Sequence, residues 1–315
     1  METRIVFMGT PEFAVPILRA LVLDLPKNYR VVGVVTQPDK KVGRKQILTP
    51  SPIKEESALY NIPVFQPKKI KEEYQAILDL KPDLIITCAY GQILPKEILD
   101  YPKYKCINVH ASLLPKLRGG APIHHAIIDG YEKTGVTIMY MDEKMDEGDI
   151  LTQAETKIKK DDTLGTLEKR LSEMGKELLL STIPPLLKGE ITPIPQKEEE
   201  ATYGYNITKE EEKLDFNKTK EELDRQVRGL NPIPGSYAIL EGKRIKIYDV
   251  RFGERFYPKT GNGTIVDFYE DGISVVANHE ELILTDIAVE GKKRCLVKEF
   301  LHGLDKSKWK GKRME

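Results

Sequence analysis

Over the first half of the chain, short and nearly continuous apolar runs alternate with segments of helical periodicity. The runs are "RIVFMG" (4–9), "RVVGVVT" (30–36), "DLIITCA" (83–89) and "KCINVH" (105–110). Their β-branched, unalternating character is that of strands covered on both faces. Between them, Phe13, Ile17, Ala20, Leu21 and Leu25 recur at helical spacing, and Ile70, Tyr74, Ile77 and Leu78 predict a helix over 69–80. Strands alternating with helices predict an α/β architecture, a parallel, doubly wound, Rossmann-like sheet. Such sheets bind ligands outside the C-terminal ends of their strands. A dinucleotide site would show G-x-G-x-x-G after the first strand, but the turn "MGTPEF" carries a single glycine and disfavours it.

Residues 163–188 predict a long helix, with Leu164, Leu167, Leu171, Met174 and Leu186 on one stripe, kinked or ended by Pro184 and Pro185. The proline-, charge- and turn-rich stretch after it predicts a linker over 190–205. Beyond it the period shortens. "RIKIYDVRF", "GTIVDFY", "GISVVA" and "ELILTDIAV" are strand-like runs separated by Gly and Asp turns, the pattern of a small, OB-like β-barrel over 206–315.

Composition narrows this picture. The 315 residues suffice for two domains. Lysines and arginines number 49, as do the acids, so net charge points to no polyanion and no membrane surface. The end is more basic: from Lys292 onward nine basic residues face three acids, a run that either meets a polyanion or is solvated. Cys88, Cys106 and Cys295 share no metal or redox spacing. No signal peptide opens the chain and no apolar stretch is long enough to span a membrane, so a reducing cytoplasmic setting is expected.

The candidate chemistry gathers in "INVHASLLPKLRGGAPIHHAI" (107–127). Asn108 and His110 stand two apart at the end of an apolar run, which aims both to one side of an extended strand. The acids of "GVTIMYMDEKMDEGDIL" (135–151) follow a strand-like run and could add a carboxylate from the Asp146-Glu147-Gly148 turn. An amide, an imidazole and a carboxylate suit acyl transfer to an amine, by stabilising an oxyanion and holding an imidazolium. From the residues alone, a packed structural histidine is the favoured reading and a catalytic one the alternative. Ser112 lies outside any G-x-S-x-G elbow, which disfavours a serine hydrolase. The adjacent His124 and His125 point about 100° apart on a helix and are not spaced as a metal pair, so no metal is expected. Lys40, Lys41, Arg44 and Lys45 form a basic loop, either solvated or facing nucleic acid.

Several segments, in order, resemble the methionyl-tRNA formyltransferase family: "MGTPEFAVPIL", "TQPDKKVGRKQILTPSPIK", "VFQPKKIK", the 107–127 and 135–151 segments, and "RGLNPIPGSY". The resemblance covers nearly the whole chain. It implies a catalytic domain over 1–189 and a tRNA-binding barrel over 206–315. It also implies transfer of the formyl group of 10-formyltetrahydrofolate to the α-amino group of methionine on initiator methionyl-tRNA, by a monomer without metal. Asn108, His110 and Asp146 match the family's catalytic positions. Ser112, Leu113, Leu114 and Pro115 match its folate segment, and Lys40, Lys41, Arg44 and Lys45 its tRNA loop. Two departures stand out: Ala111 replaces a customary glycine, and the loop is richer in lysine and poorer in glycine than is common.

Overall fold

The computed structural model describes residues 2–43 and 45–315, which fall into two compact units. The first runs to Pro122 and adds Lys133–Lys157 and Glu168–Tyr205. The second comprises Ile123–Glu132, Ile158–Leu167 and Asn206–Glu315.

The strands of the first unit are β1 (Thr3–Gly9), β2 (Tyr29–Val35), the ribbon β3 (Lys40–Val42) and β4 (Ile47–Thr49), β5 (Val64–Phe65), β6 (Leu84–Cys88), β7 (Cys106–His110), β8 (Lys133–Tyr140) and β9 (Ile150–Lys157). Seven of them form one sheet in the order β5-β2-β1-β6-β7-β8-β9, and β3 pairs with β4 separately. The four apolar runs became β1, β2, β6 and β7, and β1, β2, β6 and β7 are buried along most of their length. The strands from β5 to β7 are parallel, as the alternation of elements implied. The sheet as a whole is mixed, because β8 and β9 run antiparallel. Only the loop 141–149 joins these two, and β9 alternates half-buried and exposed positions beyond its first two residues, as a one-sided edge strand does.

The helices are α1 (Val15–Leu23), α2 (Pro52–Leu59), α3 (Gln75–Leu78), α4 (Lys96–Leu99), α5 (Pro122–Ile128), α6 (Leu164–Leu187), α7 (Lys220–Gly229) and α8 (Val297–Leu301). The helix expected over 69–80 shrinks to α3. Upstream of it the Ile70 N–H donates to Gln92 Oε1 (2.9 Å) and the Lys69 N–H to Glu73 Oε1 (3.0 Å), which hold those residues in turns. Helix α6 fulfils the 163–188 expectation, with Pro184 and Pro185 tolerated in its last turn. It packs against β7 from behind: a Cβ on Gly175 would stand 3.1 Å from Val109 Cγ1. Val109 thus faces the helix, and its neighbours Asn108 and His110 face the other way.

Residues 190–205, expected as a linker, are packed against the first unit instead. Ile194 exchanges both backbone hydrogen bonds with Ile150 (2.8 and 2.9 Å), and Arg118 bonds the backbone of Thr202 (2.8 Å) and Gly204 (2.7 Å). Proline and charge blocked regular structure in this stretch but left its peptide groups free to pair with another segment.

In the second unit β10 (Ser236–Leu240), β11 (Lys243–Phe256), β12 (Ile265–Phe268), β13 (Ile273–Ala277), β14 (Glu280–Val289) and β15 (Cys295–Leu296) form an antiparallel sheet in the order β10-β11-β14-β13-β12, with β15 on β14. The terminal peptide closes it. Met314 bridges to Leu240 of β10, and Arg313 bridges to Thr264 beside β12. Met314 reaches into a core shared with Leu223 and Val227 of α7. The basic run sorted as a polyanion surface or a solvated tail is largely paired within this unit. Arg294 meets Asp286, Lys298 meets Glu270, Lys310 meets Asp267, and Lys312 meets Glu241. Among the described residues no helix is long and apolar enough to cross a membrane.

Candidate active site

Strand β7 delivers Asn108 half-buried and His110 buried at its C-terminal end. Its parallel neighbour β6 places Thr87 opposite Asn108. The Thr87 hydroxyl lies 2.8 Å from Asn108 Oδ1. A hydroxyl donating to that oxygen turns the amide so that its Nδ2 hydrogens face away from Thr87.

The His110 ring is oriented from both sides. Its Nε2 lies 3.0 Å from the carbonyl oxygen of Leu117. A carbonyl only accepts, so the ring's permanent proton sits on Nε2. Nδ1 faces Asp146, whose Oδ1 is 3.7 Å away. That is beyond direct hydrogen-bonding distance, so Nδ1 meets the carboxylate electrostatically while its lone pair stays available.

Two turns frame this pair. The segment after β7 folds tightly: the Ser112 hydroxyl donates to Lys116 O (2.6 Å), and the Leu114 N–H donates to Thr137 Oγ1 (3.1 Å). Leu117 and Gly119 both take positive φ (57° and 113°). A Cβ on Gly119 would stand 2.9 Å from Gly204 O, so the position requires glycine. The Gly119 N–H donates to Asp146 Oδ2 (2.8 Å). Asp146 itself has φ +57°, a conformation costing an L-residue roughly 1–2 kcal/mol. Its carbonyl accepts from Gln196 Nε2 (2.8 Å), as does that of Gly148 (2.8 Å).

The structure therefore brings Asn108, His110 and Asp146 together. Of the segment expected to line a folate, Ser112 and Leu114 turn inward, Leu114 packing with Met139 and Ile150, and Leu113 and Pro115 are half-buried. Lys40 and Lys41 lie exposed on β3 and Lys45 in the turn of the ribbon. Arg44 lies outside the described residues. Val42, Ile47 and Leu48 of the same ribbon are more than half exposed. Ala111 is buried and does not adopt a positive φ, so alanine needs no glycine-like freedom there.

Other expectations resolve as packing. Burial pushes the His124 imidazole down to about 4, with adjacent His125 adding to the effect. His125 instead meets Asp129 at 3.3 Å, one helical turn on. Burial also pushes the Cys88 and Cys106 thiols well above their ordinary value, which leaves them inert. Among the described residues no group of three His, Cys, Asp or Glu could hold a metal ion. Sequence reasoning missed Thr87, Arg118, Gln196 and the Leu117 carbonyl. Three act through backbone atoms or from remote segments, and no spacing announces such partners.

Known proteins with this pattern are numerous. The formyl transferase family pattern matches residues 3–183, and that of the formyl transferase C-terminal domain matches 206–305. Methionyl-tRNA formyltransferases from two Bacillus cereus strains, B4264 and G9842, are 53% and 54% identical, each over 95% of this chain and 95% of theirs. Among solved structures, an N-formyltransferase from Helicobacter canadensis aligns with a TM-score of 0.67 at 20% identity, over 90% of this chain and 99% of that one. HypX from Aquifex aeolicus, in complex with tetrahydrofolic acid, aligns at 0.64 and 16% identity, over 96% of this chain and 47% of that one. Those two likenesses concern the fold. The full-length identity goes further: this chain belongs to the methionyl-tRNA formyltransferase family.

Proposed function

We propose that the chain transfers the formyl group of 10-formyltetrahydrofolate to the α-amino group of methionine on initiator methionyl-tRNA, with Asn108, His110 and Asp146 as the catalytic set. The observation that carries this is their convergence at the C-terminal end of β7: a donor amide, a ring with one uncommitted nitrogen, and a carboxylate facing that nitrogen.

Attack of the neutral amine on the formyl carbon forms a C–N bond and moves an electron pair onto the carbonyl oxygen. Asn108 Nδ2, freed by the Thr87 hydroxyl on Oδ1, donates to that oxyanion. The proton released by the amine passes to His110 Nδ1, since Nε2 already holds a proton against Leu117 O. The Asp146 carboxylate faces the imidazolium so formed. Collapse of the oxyanion breaks the bond from carbon to N10, and His110 Nδ1 returns the proton to the departing nitrogen. Each group ends as it began.

The inward packing of Ser112 and Leu114 supports a folate site lined by the backbone of 112–115 with Leu113 and Pro115. The exposed cations Lys40, Lys41 and Lys45 support a tRNA contact by the ribbon, with Arg44 joining them on sequence grounds. One chain supplies the whole catalytic set, so a monomer suffices, and the acceptor is a translation substrate of the cytoplasm. The test is transfer of label from 10-formyltetrahydrofolate to methionyl initiator tRNA, methionyl elongator tRNA and free methionine. Initiator tRNA should be strongly preferred. Equal use of free methionine would overturn the assignment.

A further inference from the structure

We propose that Gln196 is a positioning residue for formyl transfer, its one amide clamping both turns that hold the His110 ring. The proposal rests on the reading of Asp146 as the carboxylate partner of His110.

The first turn is that of Asp146. A non-glycine residue at φ +57° persists only where its surroundings over-determine it. Here the carboxylate is fixed by the Gly119 N–H and the carbonyl by Gln196 Nε2, both at 2.8 Å. The second hydrogen of the same nitrogen reaches Gly148 O at 2.8 Å. Gly148 lies so close to the Tyr140 carbonyl that no Cβ fits, which presses the turn against β8. Gln196 is thus the bracket across the outer side of a turn whose inner side is already fixed.

The second turn is that of Leu117, whose carbonyl faces His110 Nε2. Gln196 Oε1 accepts from Arg118 Nε (3.1 Å), and Arg118 Nη1 reaches Glu198 Oε2 (2.9 Å) from a guanidinium that is only 1% exposed. The backbone beside it is tied to the same segment: Leu117 N–H to Thr202 Oγ1 (2.9 Å) and Arg118 N–H to Thr202 O (2.8 Å). The amide therefore spends both N–H groups on the Asp146 side and its oxygen on the Arg118 side. The partners of Nδ1 and Nε2 are joined through one side chain. Glutamate keeps the length but loses both donors and sets a second carboxylate beside Asp146; leucine loses all three bonds.

The experiment is a double-mutant cycle read as kcat with folate and tRNA saturating. Gln196→Leu should lower kcat roughly 10- to 100-fold, the cost of misplacing a reacting group by about 1 Å, with both KM values within about twofold. In an Asp146→Asn background the same change should cost several-fold less, because only the Leu117 side of the ring is left to position. Equal losses in both backgrounds, or full turnover by Gln196→Leu, would overturn the proposal. Should Gln196→Leu fail to fold, the neutral Gln196→Met carries the same cycle and the same criteria. Turnover retained by Asp146→Asn alone would instead overturn the reading of Asp146, and the proposal with it.

Discussion

At the scale of single residues, the site is a set of polar groups each fixed by a partner that no local pattern reveals. Asn108 owes its orientation to Thr87 on the next strand, and His110 its tautomer to a carbonyl seven residues away. The residue types and the i, i+2 spacing made Asn108 and His110 legible in the sequence. What the sequence left open was whether they were used or merely packed, because that depends on Asp146 arriving from a different strand end. His124 shows the opposite outcome, a histidine held neutral by burial. Its folded pKa lies below the ordinary 6.5, so nothing is gained or lost above that value. As pH falls from 6.5 toward about 4 the unfolded chain takes up a proton that the folded chain refuses, and stability declines. The full loss is on the order of 3 kcal/mol. A His124→Leu variant should show a flatter stability curve between pH 6.5 and 4 in denaturant titrations. A curve as steep as that of the unchanged protein would contradict this account of His124.

At the scale of elements, buried parallel strands and the long helix α6 were readable because burial on both faces, or one apolar stripe, writes itself into periodicity. The helix expected over 69–80 is reduced to α3, since a long-range hydrogen bond from the Ile70 N–H to Gln92 and a local one from the Lys69 N–H to Glu73 hold its start in turns. Residues 190–205 read as a linker in sequence because a segment that pairs through backbone and one glutamine leaves no hydrophobic signal. The terminal peptide is a similar case. Its lysines and arginine suggested a tail, yet it carries Met314 at 1% exposure into the barrel core and bonds both edge strands. Met314→Ala should destabilise the second unit by about 2–5 kcal/mol, as deletion of a buried apolar side chain does. The measurement is the shift in its unfolding transition in urea, and a change under about 0.5 kcal/mol, the range of ordinary surface substitutions, would rule out a closing role.

At the scale of the whole molecule, a neutral chain carries a cationic ribbon at Lys40, Lys41 and Lys45 on the unit that holds the proposed catalytic set, while the basic run near the end is largely engaged in ion pairs of its own unit. Fold class and family were legible because motif order spans nearly the full chain, and the full-length identity to methionyl-tRNA formyltransferases bears this out. In the 112–115 segment Ser112 and Leu114 shape the turn through inward contacts, a role their residue types alone do not announce. The central claim is that Asn108 stabilises the oxyanion formed on the formyl carbonyl and His110 carries the proton released by the amine. The measurement that meets it most directly is kcat for formylation of initiator methionyl-tRNA, both substrates saturating, in Asn108→Ala and His110→Ala. Loss of the Asn108 donor should lower kcat about 10²–10³-fold, and loss of the His110 ring about 10²–10⁴-fold, in variants whose unfolding transitions show them folded at the assay temperature. Turnover close to that of the unchanged protein in either variant would contradict the account.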